Sequence, residues 1–409
     1  MSGLNKDKII NDPIYGFVKV EKGIIHELVE HTFFQRLTRI SQLGLSYLVY
    51  PGAHHSRFHH AIGCVFLMNK AIDQLRKKGH KISEKEAQAV CIAILLHDIG
   101  HGPFSHTLEK SFVAISHESL SLLFMQTLNE EFGGKLSLAI KIFKNGYKKK
   151  FLYQLVSGQL DMDRLDYLKR DSFYSGVQEG VIGTERIINM LDVVDDNLVV
   201  EEKGIYSIEK FLIARRLMYW QVYLHKTVLS AEHTLIKIMR RAKELIKNGE
   251  EVNASAPLLF FLEKKSTKKD SQDAEFLNQF AMLDDYDIIS ALKQWCNHKD
   301  FVLSSLSKMI INRKLLKIKI QNKVFSKKEI AEAKRKVIQA LNINPHNVNY
   351  FVFSDKISNS AYSYEKAKIN ILMKDGSIKE IKDVSDQLSN GLIGKKVNKF
   401  FLCYPNLEL

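Results

Sequence analysis

The sequence predicts a mainly α-helical protein with small β-hairpins and a smaller α+β lobe near its C-terminal end. The 409 residues include only six prolines, and leucine, isoleucine and lysine are abundant. Apolar residues recur at helical spacing over most of the chain as far as Leu341. From Val348 onward the pattern changes to short alternating apolar runs between turn residues, which is typical of strands.

Turn residues and apolar spacing predict the elements of the first half. A proline turn, a glycine and alternating apolar residues predict a hairpin over Asn11–Val20. Apolar residues three and four positions apart then predict a series of helices. These predicted helices are Ile24–Leu43, Ala61–Leu75, Glu84–Leu96, His117–Glu131, Leu136–Phe143 and one that carries the four aspartates of Asp161–Asp171.

The second half begins with turn signals around Asp196 and Lys203, which predict a second hairpin over Leu191–Ser207. Helical spacing then resumes in three stretches. These are Ile208–Ile246, Phe276–Lys308 and Ser326–Leu341. Short apolar runs predict the strands that follow, at Tyr350–Phe353, Ile369–Met373 and Phe400–Leu402.

A chain of this length is expected to fold as two lobes. We predict a first domain over residues 1–262, with its core at about 50–175. A stretch rich in lysine, serine and aspartate predicts a linker over residues 263–275. The helical and α+β lobe then occupies residues 276–409.

Composition limits the partners and the compartment. The net charge of +14 suits nucleotides, nucleic acids or simply a solvated lysine-rich surface, and it favours weak binding to nucleic acid. The apolar runs are shorter than the roughly 20 residues that cross a bilayer, and Met1–Asn11 is charged rather than apolar. Four scattered cysteines indicate reduced thiols. We therefore expect a cytoplasmic protein without membrane contact.

The segment His97–His106 is the most informative part of the sequence. It follows the apolar run that ends at Leu96, and it contains three histidines, an aspartate and the glycines and proline that end a helix. Such a cluster is costly to bury unless its members are hydrogen-bonded to one another or hold a metal. The simpler alternative is a polar helix end with hydrogen-bonded histidines.

Other parts of the chain supply further ligand candidates. His60 directly precedes an apolar helix, and Asp163 lies in the aspartate-rich helix. With His97 and Asp98 they form a set of two nitrogen and two oxygen ligands, which suits one divalent Fe, Mn, Zn, Ni or Co ion. Any single aspartate of that helix has a surface salt bridge as its alternative interpretation, for example Asp166 with Arg170.

The histidines and the arginine near these ligands predict supporting roles. Arg57 precedes His60 by three residues and suits a phosphate group. The remaining polar candidates are expected to transfer protons or to orient the ligands. They are His101, His106, His117 and Glu118.

The ligand order His60, His97-Asp98, Asp163 resembles the signature of the HD-domain metal-dependent phosphohydrolases. The similarity extends further, to the SAM-and-HD-domain dNTP triphosphohydrolases of animals and their bacterial relatives, here as a relative without a SAM domain. It covers roughly residues 8–240. The motifs that carry it are Gln35-Arg36-Leu37, Gln42-Leu43-Gly44, Pro51-Gly52-Ala53, Arg57-Phe58, His97–His106, His117-Glu118, Asp161–Tyr167, Arg170-Asp171 and Tyr223–Lys226.

The resemblance implies hydrolysis of a dNTP to a deoxynucleoside and triphosphate, with attack of water on the α-phosphate. It implies a resident metal on His60, His97, Asp98 and Asp163, and Mg or Mn with the substrate phosphates. His106 would be the general acid, and His101, His117 and Glu118 would relay protons. The implied substrate contacts are Arg57, Arg164, Arg215 and Lys226 for phosphates, and Gln42, Leu43, Tyr167, Asp171 and Tyr223 for sugar and base.

The resemblance also implies a homodimer or homotetramer with an allosteric nucleotide at an interface. Glu30 and Thr38 stand near the positions where the animal enzymes bind guanine with an Asp and an Arg, which argues against activation by GTP. His59 stands at a position where the family often has an acidic residue, and Arg164 stands where the animal enzymes have a lysine. Two alternatives remain: an HD hydrolase of another phosphate ester, such as a nucleoside monophosphate, a cyclic nucleotide or a nucleic acid end, and a non-catalytic basic protein that binds nucleic acid.

Overall fold

The computed structural model describes residues 7–104, 107–109, 115–263, 274–359, 368–386 and 397–407. The prediction of a mainly α protein with small β parts is confirmed. Most of the predicted linker, residues 264–273, lies outside the described residues. The described helices lack the combination of length and apolar character that a membrane-spanning segment requires.

The helices of the first half build the core around the site. Serine side chains cap the starts of several of them, as Ser83 does for the helix that begins at Glu84. The helices are α1 (Ile24–Glu30), α2 (Thr32–Gln35), α3 (Arg57–Lys77), α4 (Glu84–Leu95), α5 (His117–Glu131), α6 (Ser137–Phe143), α7 (Lys150–Val156), α8 (Met162–Ser175) and α9 (Thr184–Asn189).

The helices of the second half cover one side of this core. They are α10 (Ile205–Met218), α11 (Lys226–Lys247), α12 (Ala256–Glu263), α13 (Ala274–Met282), α14 (Asp285–Trp295), α15 (Phe301–Ile311), α16 (Lys327–Leu341), α17 (Val348–Phe351) and α18 (Ile381–Val384). Short 3-10 turns lie between some of the helices, at Arg36–Arg39, Gly44–Leu48, Gln178–Gly180, Glu202–Gly204 and Pro345–Asn347.

The strands form three small sheets. They are β1 (Lys8–Asp12), β2 (Gly16–Val20), β3 (Leu191–Val194), β4 (Asn197–Glu201), β5 (Lys317–Gln321), β6 (Phe353–Asn359), β7 (Asn370–Leu372), β8 (Ile378–Glu380) and β9 (Val397–Tyr404). Strands β1 and β2 form the first predicted hairpin, and β3 and β4 form the second. The third sheet has the order β5-β9-β6 and is antiparallel throughout.

The middle sheet joins the two predicted lobes. Its strand order is β3-β4-β7-β8, and β4 pairs with β7 in parallel, with Val200 opposite Ile371. One large buried cluster likewise includes residues from both regions, from Leu28 to Leu402. The two regions therefore share a sheet and a core, while the predicted boundary at residue 262 stays a prediction.

Several predicted elements differ from the structure. The predicted helical stretch Phe276–Lys308 is divided into the three helices α13, α14 and α15. The predicted helix Ile24–Leu43 is divided into α1, α2 and a 3-10 turn, because His31 is extended and caps α2 through its ring. The buried Arg36 then donates to the carbonyl oxygens of Ile99 and Leu283, at 2.7 and 3.3 Å. These partners are distant in sequence, so local spacing did not indicate the break.

The predicted helix Ile208–Ile246 is also interrupted. Helix α10 ends at Met218, a π-helical turn spans Tyr219–Tyr223, and His225 is extended and caps α11. Near the C-terminal end, the predicted strand Tyr350–Phe353 is the end of helix α17, and β6 begins only at Phe353.

Helices α3, α4 and α8 form the scaffold of the site. Helix α3 packs against both α4 and α8, and its inward side is almost continuously apolar, from Ala61 to Leu75. Helix α4 is buried from Ala89 to Leu95. Because these apolar sides fix the helices against each other, polar residues at their ends are held in defined positions.

Candidate metal centre and substrate cavity

The four predicted metal ligands lie together. His60 is on α3, His97 and Asp98 are in the turn after α4, and Asp163 is in the first turn of α8. His60 Nε2 is 3.2 Å from Asp163 Oδ1 and 3.8 Å from Asp98 Oδ2. His97 Nε2 is 3.2 Å from Asp98 Oδ1 and 3.7 Å from Asp163 Oδ1. Three elements that are far apart in sequence therefore meet at one point.

Both histidines have their other ring nitrogen fixed by an acceptor. His60 Nδ1 is 2.7 Å from Asp166 Oδ2, and His97 Nδ1 is 2.6 Å from the carbonyl oxygen of Ile94. Because a carboxylate and a carbonyl can only accept, each Nδ1 carries the proton and each Nε2 offers a lone pair. His97 Nε2 is buried and forms no hydrogen bond with a described residue. Two imidazole lone pairs thus face two carboxylates.

This arrangement fits a divalent transition metal. Four acceptor atoms at one buried point are unfavourable unless a cation lies among them. An ion about 2.1 Å from each ligand atom separates neighbouring ligands by about 3.0 to 3.4 Å, which is close to the shorter separations of 3.2 Å found here. Two nitrogens and two oxygens suit Fe, Mn, Zn, Ni or Co and do not distinguish among them.

The charges of the centre also favour a cation. Burial by itself raises the pKa of Asp98, but His97, Arg57 and His101 outweigh it and hold that pKa well below its usual value. Burial alone would also raise the pKa of Asp163, but its neighbours His60 and His97 outweigh burial and lower that pKa. Both carboxylates are therefore ionised near neutral pH and available to a metal.

The sequence interpretation missed the support behind His60. Asp166 is fully buried, and besides His60 it accepts from Nε of Arg170 at 2.9 Å. Arg170 Nη1 in turn donates to Asp12 Oδ2 at 2.8 Å. A carboxylate behind a ligating histidine fixes its ring and increases its basicity. The pair that looked like a surface salt bridge is thus a buried link between the N-terminal hairpin and the metal centre.

A glycine makes this link sterically feasible. A Cβ atom on Gly63 would lie 2.0 Å from Asp166 Oδ1 and 2.3 Å from Arg170 Nη2. Any larger residue would therefore push α3 away from α8 or displace the buried pair. Gly63 allows the two ligand-bearing helices to approach closely.

Two further histidines lie beside the centre. The rings of His101 and His117 are stacked with centroids 4.1 Å apart. His101 Nε2 is 3.3 Å from Asp98 Oδ1, and His117 Nδ1 is 3.0 Å from Oε1 of Glu109. Burial and the Arg57 guanidinium lower the pKa of His101 well below its usual value, so this ring is neutral near pH 7. Glu109 was not among the predicted residues.

Of the two other predicted catalytic residues, the structure describes only Glu118. The Glu118 side chain is 67% exposed, with its carboxylate 3.7 Å from His117 Nε2. It lies at the outer side of the stacked histidines. His106 lies outside the described residues.

A cavity of about 440 Å³ is lined by the two carboxylates of the centre, Asp98 and Asp163. Such a volume suits a ligand of nucleotide size. Ten further predicted residues line it, namely Gln42, Leu43, Arg57, His101, His117, Arg164, Tyr167, Asp171, Arg215 and Tyr223. Lys226 is exposed at the start of α11, outside the lining formed by the described residues.

Three arginines face this cavity. Arg57 donates to Asp98, and Arg164 donates to Asp161. Arg215 Nη1 donates to Oε1 of the buried Gln159 at 3.1 Å. Nε of Arg164 and Nε of Arg215 are buried and form no hydrogen bond with a described residue. The guanidinium groups of Arg164 and Arg215 are thus held by one hydrogen bond each to a neighbouring side chain and keep an Nε donor for an anionic ligand.

A separate group of polar residues lies around Asp171. His55 Nε2 is 2.7 Å from Asp171 Oδ1, and the Tyr223 hydroxyl donates to Asp171 Oδ2 at 2.6 Å. The Tyr167 ring is edge-on to Tyr223, with centroids 6.2 Å apart. His55 is one of four histidines within residues 54–60, and its contact with Asp171 could not be inferred from that composition.

Cys64 lies against His60 on the next turn of α3. Its Sγ atom is 3.6 Å from both ring nitrogens of His60, and it lies within 4.8 Å of ligand atoms of His60 and His97. Burial raises the pKa of the Cys64 thiol. The Cys64 thiol is therefore neutral near pH 7, and it packs against the His60 ring.

The comparisons with known proteins agree with this geometry. Residues 57–168 match the HD domain, and residues 182–256 match the HD associated region. The first of these matches includes all four converging residues. A phosphohydrolase from Bacteroides thetaiotaomicron with a solved crystal structure is 53% identical, with a TM-score of 0.95, over 98% of this chain and 100% of that chain.

Two sequence relatives widen the comparison. The uncharacterized protein YwfO of Bacillus subtilis is 32% identical over 98% of this chain and 93% of its own length. The SAMHD1 homolog of Dictyostelium discoideum, named a deoxynucleoside triphosphate triphosphohydrolase, is 30% identical over 61% of this chain and 52% of its own length. This chain therefore matches about half of that relative. Together with the ligand geometry, these similarities show that the chain belongs to the family of HD-domain metal-dependent phosphohydrolases.

Proposed function

We propose that this protein is a deoxynucleoside triphosphate triphosphohydrolase, which converts a dNTP and water to a deoxynucleoside and triphosphate. One observation carries the proposal. The same cavity contains the carboxylates of Asp98 and Asp163, three arginines, of which Arg164 and Arg215 have a buried Nε without a hydrogen bond to a described residue, and the Asp171–Tyr223 pair. A metal held by the carboxylates, together with the arginines, suits a polyphosphate. The Asp171–Tyr223 pair suits a sugar hydroxyl.

Positive charges in the cavity support the proposed binding of the substrate phosphates. A divalent ion held by His60, His97, Asp98 and Asp163 would supply Lewis acidity toward a phosphate oxygen and toward water. Arg57, Arg164 and Arg215 would bind the phosphate chain. As charge spreads over the phosphate oxygens in the transition state, fixed guanidinium groups stabilise it without having to reorganise.

The reaction also moves protons. Water adds to the α-phosphorus, the bond from phosphorus to the 5′ oxygen breaks, and that oxygen needs a proton to leave as the deoxynucleoside. His106 is the proposed general acid. The stacked pair of His101 and His117, with His117 bonded to Glu109, offers a path for proton exchange.

The sugar end is where a deoxyribose would be selected. Asp171 lies between His55 and Tyr223, within hydrogen-bond distance of both, and its remaining lone pairs suit a 3′-hydroxyl. Tyr167 and Tyr223 would lie against the sugar and leave little room for a 2′-hydroxyl. The proposed contacts from Gln42 and Leu43 complete this end of the cavity.

Three expectations from the sequence accompany the proposed activity. They are a homodimer or homotetramer, an allosteric nucleotide at an interface, and a cytoplasmic location. Light scattering with and without nucleotides would determine the first two. We also expect Mg or Mn to bind with the substrate phosphates, so the assay should contain one of these ions.

The test is to incubate the pure protein with each dNTP and Mn or Mg, and to identify the products. We expect deoxynucleoside and inorganic triphosphate in equal amounts. Release of monophosphate or pyrophosphate, or turnover of ribonucleotides or nucleic acid ends with inert dNTPs, would contradict the proposal. An Asp98→Asn variant should abolish turnover, whereas Asp73→Asn, at an exposed position of α3, should retain it.

A further inference from the structure

One carboxyl group in the cavity wall, that of Glu232, belongs neither to the metal centre nor to the Asp171–Tyr223 pair. Glu232 lies on α11 and lines the cavity. The Thr107 hydroxyl is its hydrogen-bond partner. The 3-10 turn Gly44–Leu48 packs against the same helix, and it contributes Gly44 and Ser46 to the cavity wall.

The surroundings of Glu232 are uncharged. Burial raises its pKa to about 7, and the hydrogen bond to Thr107 opposes that shift. No charge on a described residue of the elements packed around it contributes to the shift. Arg57, Arg164 and Arg215 line the same cavity but do not contribute to this shift. The cavity has a charged end at the metal centre and an uncharged end at Glu232.

The chemistry of a nucleotide matches these two ends. Its phosphates carry the charge, and its base is flat and apolar with a few hydrogen-bonding groups at the edge. Leu43, Phe104 and Leu224 are apolar members of the lining, and Ser46, Thr107 and Glu232 are polar ones. A carboxyl is the strongest hydrogen-bonding group among these six.

We propose that Glu232 contacts the edge of the substrate base and determines which base is preferred. The inference rests on the proposed dNTP substrate. The ionised carboxylate can accept two hydrogen bonds, which suits the adjacent N–H donors of guanine. The neutral carboxyl donates one and accepts one, which suits the paired donor and acceptor of adenine or cytosine. The preference therefore follows the protonation state of Glu232.

The test compares kcat/KM for dGTP and dATP at about pH 6 and about pH 8.5. In the unchanged protein, the ratio of dGTP to dATP should rise about tenfold with pH. The ratio removes every pH effect that both substrates share. In Glu232→Gln the side chain is fixed as one donor and one acceptor, so the ratio should stay at the low value at both pH values.

The control is Glu244→Gln on the outer part of the same helix, where Glu244 bonds Arg240 and Tyr350. This variant should behave as the unchanged protein does. A ratio that is independent of pH in the unchanged protein, or one that changes equally in Glu232→Gln, would overturn the role of Glu232 while leaving the activity intact. If no dNTP yields triphosphate, the proposed function fails, and the inference about the base fails with it.

Discussion

The proposed metal centre and the proposed nucleoside end of the cavity, which comprises the surroundings of Asp171 and Glu232, are built in different ways. Around the metal centre, His60 and His97 each have one nitrogen fixed by a neighbouring acceptor, and the ligands come from helices that pack directly on one another. The proposed nucleoside end combines Tyr167 and Asp171 of the same helix α8 with the 3-10 turn Gly44–Leu48, a π-helical turn and the start of α11, where Glu232 is hydrogen-bonded to Thr107. The difference indicates that the chemistry is fixed by a rigid scaffold, whereas selectivity depends on groups that are easier to change.

The strongest test of this difference is removal of a metal ligand. In Asp163→Asn we expect activity to fall at least about a thousandfold, because a neutral amide neither balances the cation nor completes its ligand set. Metal content by mass spectrometry should fall in parallel. Asp73→Asn should keep both metal and activity, and an Asp163→Asn protein with full metal and full turnover would show that the centre lies elsewhere.

The next effect concerns the support behind His60. In Asp166→Asn we expect metal affinity or activity to fall about 10- to 100-fold, because an amide orients the imidazole less strongly than a carboxylate does. A competition titration with a chelator measures the affinity. Circular dichroism checks that the variant still folds, although the buried Arg170 has lost its charged partner. An unchanged metal affinity in a folded variant would limit Asp166 to a structural role.

A smaller effect is expected at the nucleoside end. In Tyr223→Phe the hydrogen bond to Asp171 is lost, which should raise KM about 5- to 10-fold and change kcat little. Metal content should be unaffected. Tyr206→Phe, at a side chain that is 70% exposed, serves as the matched control. A loss of kcat with unchanged KM would place Tyr223 in the chemical step instead.

The smallest effect on activity is expected away from the cavity. The buried Glu86 bonds Lys149 and Tyr147 at 2.8 and 2.7 Å. Burial by itself raises its pKa, but the hydrogen bonds from Lys149, Ser83 and Tyr147 outweigh it and lower the value from 4.5 to about 2. Because the folded-state pKa is the lower one, the stabilisation is complete above the unfolded value and is lost as the pH falls toward the folded one.

We therefore expect Glu86→Gln to reduce the free energy of unfolding by about 2 kcal/mol at neutral pH. The difference between the variant and the unchanged protein should shrink as the pH is lowered below the unfolded-state value. Urea denaturation at about pH 7 and about pH 3.5 measures it. A difference that stays constant over this range would mean that the ionised carboxylate contributes nothing, and turnover should be unaffected throughout.

The sequence predicted the metal centre better than the groups that support it. His60, His97, Asp98 and Asp163 each adjoin an apolar helical run, so the same pattern that predicts the helix also predicts the inward position. Asp166 has an equally plausible local partner in Arg170, and only tertiary packing shows that both are buried. The spacing of Gly63 to His60 and of Asp166 to Asp163, three residues in each case, is the one sequence signal that could have linked these residues.

The nucleoside end was predicted only through the family resemblance, and some of its members were missed. Glu232 lies on a strongly amphipathic helix, where nothing in the local pattern distinguishes a cavity wall from a solvent-facing position. Glu109 follows the histidine cluster but has no periodic signal of its own. The breaks at His31 and His225 were missed because the contacts that favour them, such as those of Arg36 with Ile99 and Leu283, come from distant parts of the chain.

The parallel pairing of β4 with β7 has a consequence for any attempt to shorten the protein. A fragment that stopped near residue 262 would keep β3 and β4 but lose β7 and β8. The side of Val200–Glu201 that pairs with β7 would then present unsatisfied amide and carbonyl groups to solvent, and an unpaired strand edge of this kind can pair with strands of other molecules. The catalytic half by itself would thus tend to precipitate, even though every proposed metal ligand lies within it.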